Sequence, residues 1–179
     1  SLDPKFKGEN PAVALVESAL ECANVFESQG MSDIVIAIKA SDTAVNIDAN
    51  RILSLACDYP IHIGVTEAGT LRTGLIKSAI GIGTLLREGI GDTIRVSLSA
   101  NVKEEVLAGK KILQTMGLRK NAVEVISCPT CARTEINVEE LANKIEEMTA
   151  SIDKPLKISV LGCPLNGIGE GENSDLGIA

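Results

Sequence analysis

Three times in the first hundred residues, a short run of branched aliphatics ends on polar groups and gives way to a helix-patterned stretch. The runs are DIVIAIKAS at 33–41, YPIHIGVTEAG at 59–69 and GDTIRVSLS at 91–99. A nearly unbroken apolar run such as Ile34 to Ile38 suits a strand covered on both faces, the usual condition of parallel sheets. Strands and helices that alternate through short connections pair in parallel by right-handed crossovers, so the fold class read here is α/β.

The helices are marked by spacing. Residues 12–27 bring Leu15, Ala19, Cys22 and Phe26 onto one face, which predicts a buried stripe that includes Cys22. The next helix carries Ile52, Leu55 and Ala56 and ends at Cys57, and another is predicted over 75–88. Asn101 followed by Glu104 reads as a capping box, and Val102, Val106, Gly109, Leu113 and Met116 mark the predicted inner face of the helix it opens, up to Gly117. Two further strands, AVEVIS and LKISVLG, run up to Cys128 and Cys163. The helix between them, 138–150, has Asn137 as cap, Glu140 at N3 and an Ile136 to Leu141 staple. Candidate metal ligands begin only after residue 120, so the boundary is placed within 118–121, giving domains 1–120 and 121–179.

Composition excludes some partners. A net charge of -7 and the scarcity of aromatics speak against nucleic acid, which asks for dense Lys and Arg and for stacking surfaces. No apolar run approaches the roughly 20 residues that cross a bilayer, and the first residues lack a signal-peptide layout, so no membrane partner and a cytoplasmic location are expected. Five cysteines in a reducing compartment point to metal or redox chemistry rather than disulfides.

Lys39, Thr66, Glu67, Arg95 and Ser97 fall at or just beyond the C-terminal ends of successive predicted strands, the face on which parallel barrels build active sites. Lys39 and Glu67 are 28 residues apart, as are Glu67 and Arg95, so each strand–helix unit contributes one charged group to the same rim. An arginine and a lysine there suit phosphate. Alternatively, both cations pair with Glu67 or Asp42 as solvated rim charges. His62 faces the same side of its strand as Gly64 and Thr66, as a core histidine or a catalytic one. GLIKSAIGIG, with Lys77, could cradle phosphate at a helix N-terminus, or its glycines could serve close packing.

Cys128 and Cys131 form a C-x-x-C pair at one strand end, and Cys163 stands at the end of the next strand, so three thiols can converge. The following PLNGIGEGENSDLGIA is read as a loop from which Glu170 can supply an oxygen ligand. Three thiolates with an oxygen fourth ligand suggest an iron–sulfur cluster with one iron open to substrate. Structural zinc, a thiol redox pair or unliganded core thiols are the alternatives. Cys22 and Cys57 are assigned to packing.

Together, KASD, HIGVTEAG, IRVS, SCPTCARTEI and GCPLNGIGEGENSDLGIA resemble the 4-hydroxy-3-methylbut-2-enyl diphosphate synthase family of the methylerythritol phosphate isoprenoid pathway, over nearly all 179 residues. The resemblance implies the second half of a TIM-type (β/α)8 barrel followed by part of an α/β [4Fe–4S] domain. It implies reductive ring opening of 2-C-methyl-D-erythritol 2,4-cyclodiphosphate to 4-hydroxy-3-methylbut-2-enyl diphosphate, an iron–sulfur oxidoreductase activity. Cys128, Cys131, Cys163 and Glu170 match the cluster ligands, and Lys39 and Arg95 the diphosphate-binding cations. Thr66, Ser97 and Asn166 match substrate-contacting positions, Glu67 matches the acidic residue near the reacting carbons, and His62 lies in the same motif. Flavodoxin or ferredoxin is the implied electron donor, and a homodimer the implied assembly.

Two departures stand out: Ile168 where the family has proline, and Ala132 where it has glycine. Three barrel strands cannot close an eight-stranded barrel, so the chain alone is expected to be inactive and to leave a sheet edge exposed. The rival readings are a sulfite- or nitrite-reductase-like iron–sulfur oxidoreductase and a structural iron–sulfur or zinc interaction module. The strand-end polar set has no use in the latter.

Overall fold

A computed structural model describes residues 10–178, apart from the side chains of Leu165, Asn166, Ile168 and Glu170. The chain divides into two units, residues 1–116 and 117–179.

The first unit runs α1 (Pro11–Ser28), α2 (Thr43–Ala56), β1 (His62–Gly64), α3 (Leu71–Arg87), β2 (Thr93–Arg95) and α4 (Val102–Thr115). Its helices start where side chains satisfy the first amides. Asn10 accepts from the Ala12 N–H at 3.0 Å with Pro11 opening α1, Asp42 accepts from Val45 N–H at 3.0 Å, and Asn101 from Lys103 N–H at 2.9 Å. β1 and β2 pair in parallel, His62 opposite Thr93 and Gly64 opposite Arg95.

The strand predicted over 34–38 is an extended segment joined to its neighbour by a bridge between Ile36 and Ile61. Its rungs are Ile36 N–H to Pro60 O, His62 N–H to Ile36 O, and, four residues on, Thr66 N–H to Ala40 O. Between them the Ile38 carbonyl accepts the Asn50 side-chain amide at 3.2 Å, which interrupts the ladder. One face of these segments, Ile36, Ile38, Ile61, Ile63 and Val96, packs against Ile47, Leu53, Ile82, Leu85 and Ile112 of the helices. Because side chains alternate along a strand, His62, Arg95 and their i+2 neighbours belong to the opposite face.

Close packing explains the glycines of α3. A Cβ on Gly74 would come within 2.4 Å of Leu98 Cδ2, and one on Gly81 within 2.7 Å of Val65 Cγ2. GLIKSAIGIG lies inside α3 rather than at its start, and Lys77 donates to the Ser41 carbonyl at 3.5 Å, so the segment is a packing surface and not a phosphate cradle.

Helix phase departs from the sequence reading. In α1 the buried residues are Ala12, Ala14, Val16 and Ala23, while Cys22 is exposed and Phe26 is 49% exposed. In α4 they are Ala108, Gly109 and Ile112, with Val102 at 69% and Val106 at 54% exposure. In α2 the anchor is Leu53, and Leu55 is 90% exposed. The predicted stripes of α1 and α4 are covered only in part: Leu15, Ala19 and Met116 pack against the core and Gly109 is buried, yet Leu15, Ala19, Cys22 and Phe26 flank an open groove of about 400 Å³ along Ile34–Lys39, and Val106, Gly109 and Leu113 flank one of about 300 Å³ along Ile94–Val96.

The second unit contains β3 (Val123–Ser127), α5 (Val138–Thr149), β4 (Leu156–Val160), α6 (Pro164–Gly171) and β5 (Leu176–Ile178). Its sheet is parallel throughout, in the order β3-β4-β5. The expected cap of α5 is present, Asn137 accepting from Glu140 N–H at 3.2 Å and donating to the Glu140 carboxylate at 3.0 Å. Val138 and Ile145 of α5 close over Ile158 and Val160.

The glycine-rich tail is not a loop: it forms α6 and β5. Pro164 is placed where a helix needs no amide donor, Gly167 N–H closes the first turn onto the Cys163 carbonyl at 3.0 Å, and Gly171 meets Gly177 closely enough that a Cβ on Gly177 would stand 3.2 Å from the Gly171 Cα. Together the described residues form an α/β architecture with parallel sheets and no closed barrel.

Candidate functional site

In the first unit, the sequence-predicted residues gather on the strand face turned away from the core. His62 Nδ1 and Thr93 Oγ1 are 2.7 Å apart, and Arg95 Nε donates to Ser97 Oγ at 3.0 Å. Burial, then the neighbouring Arg95 charge, lowers the Lys39 pKa from its ordinary value. Burial, then Lys39, then Arg95, lowers that of His62, which favours a neutral imidazole. Lys39, His62 and Arg95 therefore share one electrostatic neighbourhood.

No carboxylate among the described residues forms an ion pair with Lys39 or Arg95. Asp42 serves instead as the α2 cap. Two cations gathered with no ion-paired carboxylate among the described residues can attract an anion, and Arg95, steadied by Ser97, can present a fork to its oxygens. Thr66 is held at this strand end by its N–H bond to Ala40 O, at 3.4 Å. Glu67 follows it in an exposed turn and has a φ of 50°, the only positive φ among the described non-glycine residues. That conformation costs on the order of 1 kcal/mol and concentrates at functional sites. Ala132, by contrast, needs no glycine conformation.

Two residues escaped the sequence reading. Asn46 and Asn50 are fully buried in α2, one turn apart. Asn46 Oδ1 accepts from Ala40 N–H at 3.0 Å, and the Asn50 amide donates to Ile38 O at 3.2 Å and Asn46 O at 2.8 Å. They fix the backbone on both sides of Lys39. The signal was available: asparagines at i and i+4 within the buried row Ile47, Ala49 and Leu53 are costly unless they hold something.

In the second unit, Cys128 follows β3 and Cys163 follows β4, and the parallel register pairs Ser127 with Val160. Gly162 N–H donates to Cys128 Sγ at 3.2 Å, and Cys128 N–H donates to Val160 O at 3.2 Å. Gly162 has no room for a side chain, since a Cβ would lie 2.7 Å from Val138 Cγ2 and 2.8 Å from Thr134 Cγ2. Thr134 Oγ1 accepts from Cys131 N–H at 3.0 Å and donates to Cys131 Sγ at 3.7 Å. The Arg133 backbone N–H, then Thr134, with the Arg133 charge adding a smaller effect, lowers the pKa of the exposed Cys131 thiol. Cys163 is buried and directly precedes α6, whose N-terminal end favours negative charge.

All three thiols are free, and the donors at Cys128 and Cys131 suit thiolates. Among the described residues no three His, Cys, Asp or Glu side chains stand close enough to hold one metal ion. A cluster in which each iron takes its own thiolate does not ask for that arrangement. The side chains of Asn166 and Glu170, the assigned substrate contact and fourth ligand, lie outside the described residues. Cys57 is half-buried with its Sγ 3.6 Å from Leu53 O, a packing role.

Residues 1–110 match the GcpE TIM-barrel domain family, and residues 124–179 match the GcpE protein C-terminal domain. The chain is 54% identical over 175 residues, 98% of its length, to a protein of Caldanaerobacter subterraneus subsp. tengcongensis, and covers 49% of that protein. It is 52% identical over 166 residues to one from Clostridium acetobutylicum and 53% identical over 165 residues to one from Thermotoga maritima, covering 93% and 92% of this chain and 48% of each relative. All three relatives are named 4-hydroxy-3-methylbut-2-en-1-yl diphosphate synthase (flavodoxin). The chain thus spans about half the length of the relatives it matches.

Proposed function

This chain belongs to the GcpE family, and from that premise we propose that it supplies part of an enzyme that reductively opens 2-C-methyl-D-erythritol 2,4-cyclodiphosphate to 4-hydroxy-3-methylbut-2-enyl diphosphate. The observation that carries this reading is the convergence of Lys39, His62 and Arg95 on the face opposite the core, with no carboxylate among the described residues paired to either cation. A structural metal module has no need of such a face.

In this reading the first unit is the later part of a TIM-type barrel. Lys39 and Arg95 bind the diphosphate, and their charge stabilises the negative charge that moves onto phosphate oxygen as the ring opens. Ser97 orients the guanidinium through its 3.0 Å contact. Thr66 contacts the substrate beside them, and Asn166 keeps the substrate-contacting role that the family resemblance gives it. A neutral His62 keeps its position near the cations without adding a third positive charge, and Glu67, outside the apolar core on its strained turn, exchanges the proton that leaves with the hydroxyl.

Cys128, Cys131 and Cys163, with Glu170 as fourth ligand, would hold a [4Fe–4S] cluster. When bound, such a cluster supplies single electrons from flavodoxin or ferredoxin and a Lewis-acidic iron. The N–H and O–H groups aimed at Cys128 and Cys131 favour that thiolate set. The reading includes a homodimeric assembly and a cytoplasmic location. No helix among the described residues is long and apolar enough to cross a membrane.

The test is anaerobic turnover of the cyclic diphosphate by the cluster-loaded full-length protein with reduced flavodoxin. Formation of the linear allylic diphosphate supports the reading. A fully loaded protein that leaves the cyclic diphosphate intact contradicts it.

A further inference from the structure

Gly64 lies in β1 opposite Arg95 and is buried. A Cβ there would stand 2.6 Å from the Arg95 carbonyl oxygen and 3.0 Å from Lys39 Cε. The first atom is backbone, so no rotamer change relieves the overlap: the two strands must separate, carrying Arg95 with them. The second is the carbon that bears the Lys39 ammonium. Lys39 Cε therefore lies over the one residue of β1 without a side chain, and the Arg95 charge on the strand beyond is near enough to act on the Lys39 ammonium.

Behind it, Asn46 and Asn50 hold Ala40 N–H and Ile38 O, so the lysine departs from a fixed backbone and lies across a fixed notch. Resting on the polyanion reading of this site, we infer that Gly64 is a positioning residue that sets the separation of the Lys39 and Arg95 cations, and so the spacing of phosphate oxygens the site accepts. One missing methyl group controls both cations, because the same atom would displace the side chain of one and the main chain of the other.

The experiment is isothermal titration of inorganic pyrophosphate into the full-length protein and its Gly64→Ala, Lys39→Ala and doubly substituted variants. Gly64→Ala should weaken pyrophosphate about tenfold or more, the scale of a lost charge-assisted contact. In turnover it should raise KM more than it lowers kcat. The double variant should bind no more weakly than the weaker single one, since both changes disable the same clamp. Loss of affinity in Lys39→Ala with full affinity in Gly64→Ala overturns the positioning role and leaves the binding reading standing. Full affinity in Lys39→Ala overturns the binding reading itself. Should Gly64→Ala fail to fold, glycine-selective 15N spectra of the parent protein decide: the Gly64 resonance shifts on adding pyrophosphate, and an unmoved resonance refutes the assignment.

Discussion

Substituting Asn50 by alanine tests the frame that holds Lys39. The side-chain amide donates two bonds, to Ile38 O at 3.2 Å and Asn46 O at 2.8 Å, in a residue with no solvent exposure. At about 1 kcal/mol each, their loss costs ~2 kcal/mol. The small void left behind adds about 1 kcal/mol. Two effects work the other way. Asn50 Oδ1 has no hydrogen-bond partner, so removing it recovers on the order of 1 kcal/mol of desolvation, and alanine is the better helix former by ~0.6 kcal/mol. The net destabilisation is about 1.5 kcal/mol, or a fall of roughly 6 °C in the midpoint of a unit this size.

Thermal unfolding followed by far-UV circular dichroism measures the shift. Hydrogen exchange of the peptide covering residues 36–41 should quicken in the same variant. Asn50→Asp is the sharper probe: it keeps the shape, removes both donors and buries a carboxylate, so it should be the less stable of the two. An Asn50→Ala midpoint equal to the parent's, or an Asn50→Asp variant as stable as Asn50→Ala, would refute the frame.

Three further outcomes are expected. His62 has a native pKa below its ordinary 6.5, so on acidification through that value the unfolded state takes up the proton first and the fold loses stability. The midpoint of His62→Gln should therefore fall less steeply than the parent's from about pH 7 to pH 5, and parallel curves would contradict the assigned cause. Gly162→Ala should drive Val138 and Thr134 away from the β4 end, and cluster content after anaerobic reconstitution should drop well below the parent's; full loading would show that the close packing there is dispensable. Ser97→Ala removes the acceptor of Arg95 Nε and should weaken pyrophosphate by a few-fold, the scale of one exposed hydrogen bond, with unchanged affinity excluding an orienting role.

The strand ends were legible in the sequence because period and chemistry agree there. Buried aliphatics such as Ile36, Ile38, Ile61 and Ile63 fix one face, which leaves Lys39, His62, Arg95 and Ser97 to the other. The helix faces at the edges were legible only in part. A stripe such as Leu15, Ala19, Cys22 and Phe26 records that a surface is apolar and says nothing of which neighbour covers it, and within this chain it borders an open groove. The tail was misread because glycine density signals a loop when taken alone, whereas Gly171 and Gly177 serve the close approach of α6 and β5. Asn46 and Asn50 were passed over because polar residues in a helix suggest a solvated face, although their i, i+4 spacing along the apolar row of Ile47, Ala49 and Leu53 was the signal that they are buried clamps.

The measurement that bears most directly on the account is metal and sulfide analysis of the full-length protein after anaerobic reconstitution, with visible and EPR spectra, in parent and Cys128→Ser, Cys131→Ser and Cys163→Ser variants. The account expects iron and sulfide in equal amounts with iron–sulfur charge-transfer absorption in the parent, and loss of that signal in each variant. Stoichiometric zinc without that absorption, or full iron–sulfur loading in all three serine variants, would contradict it.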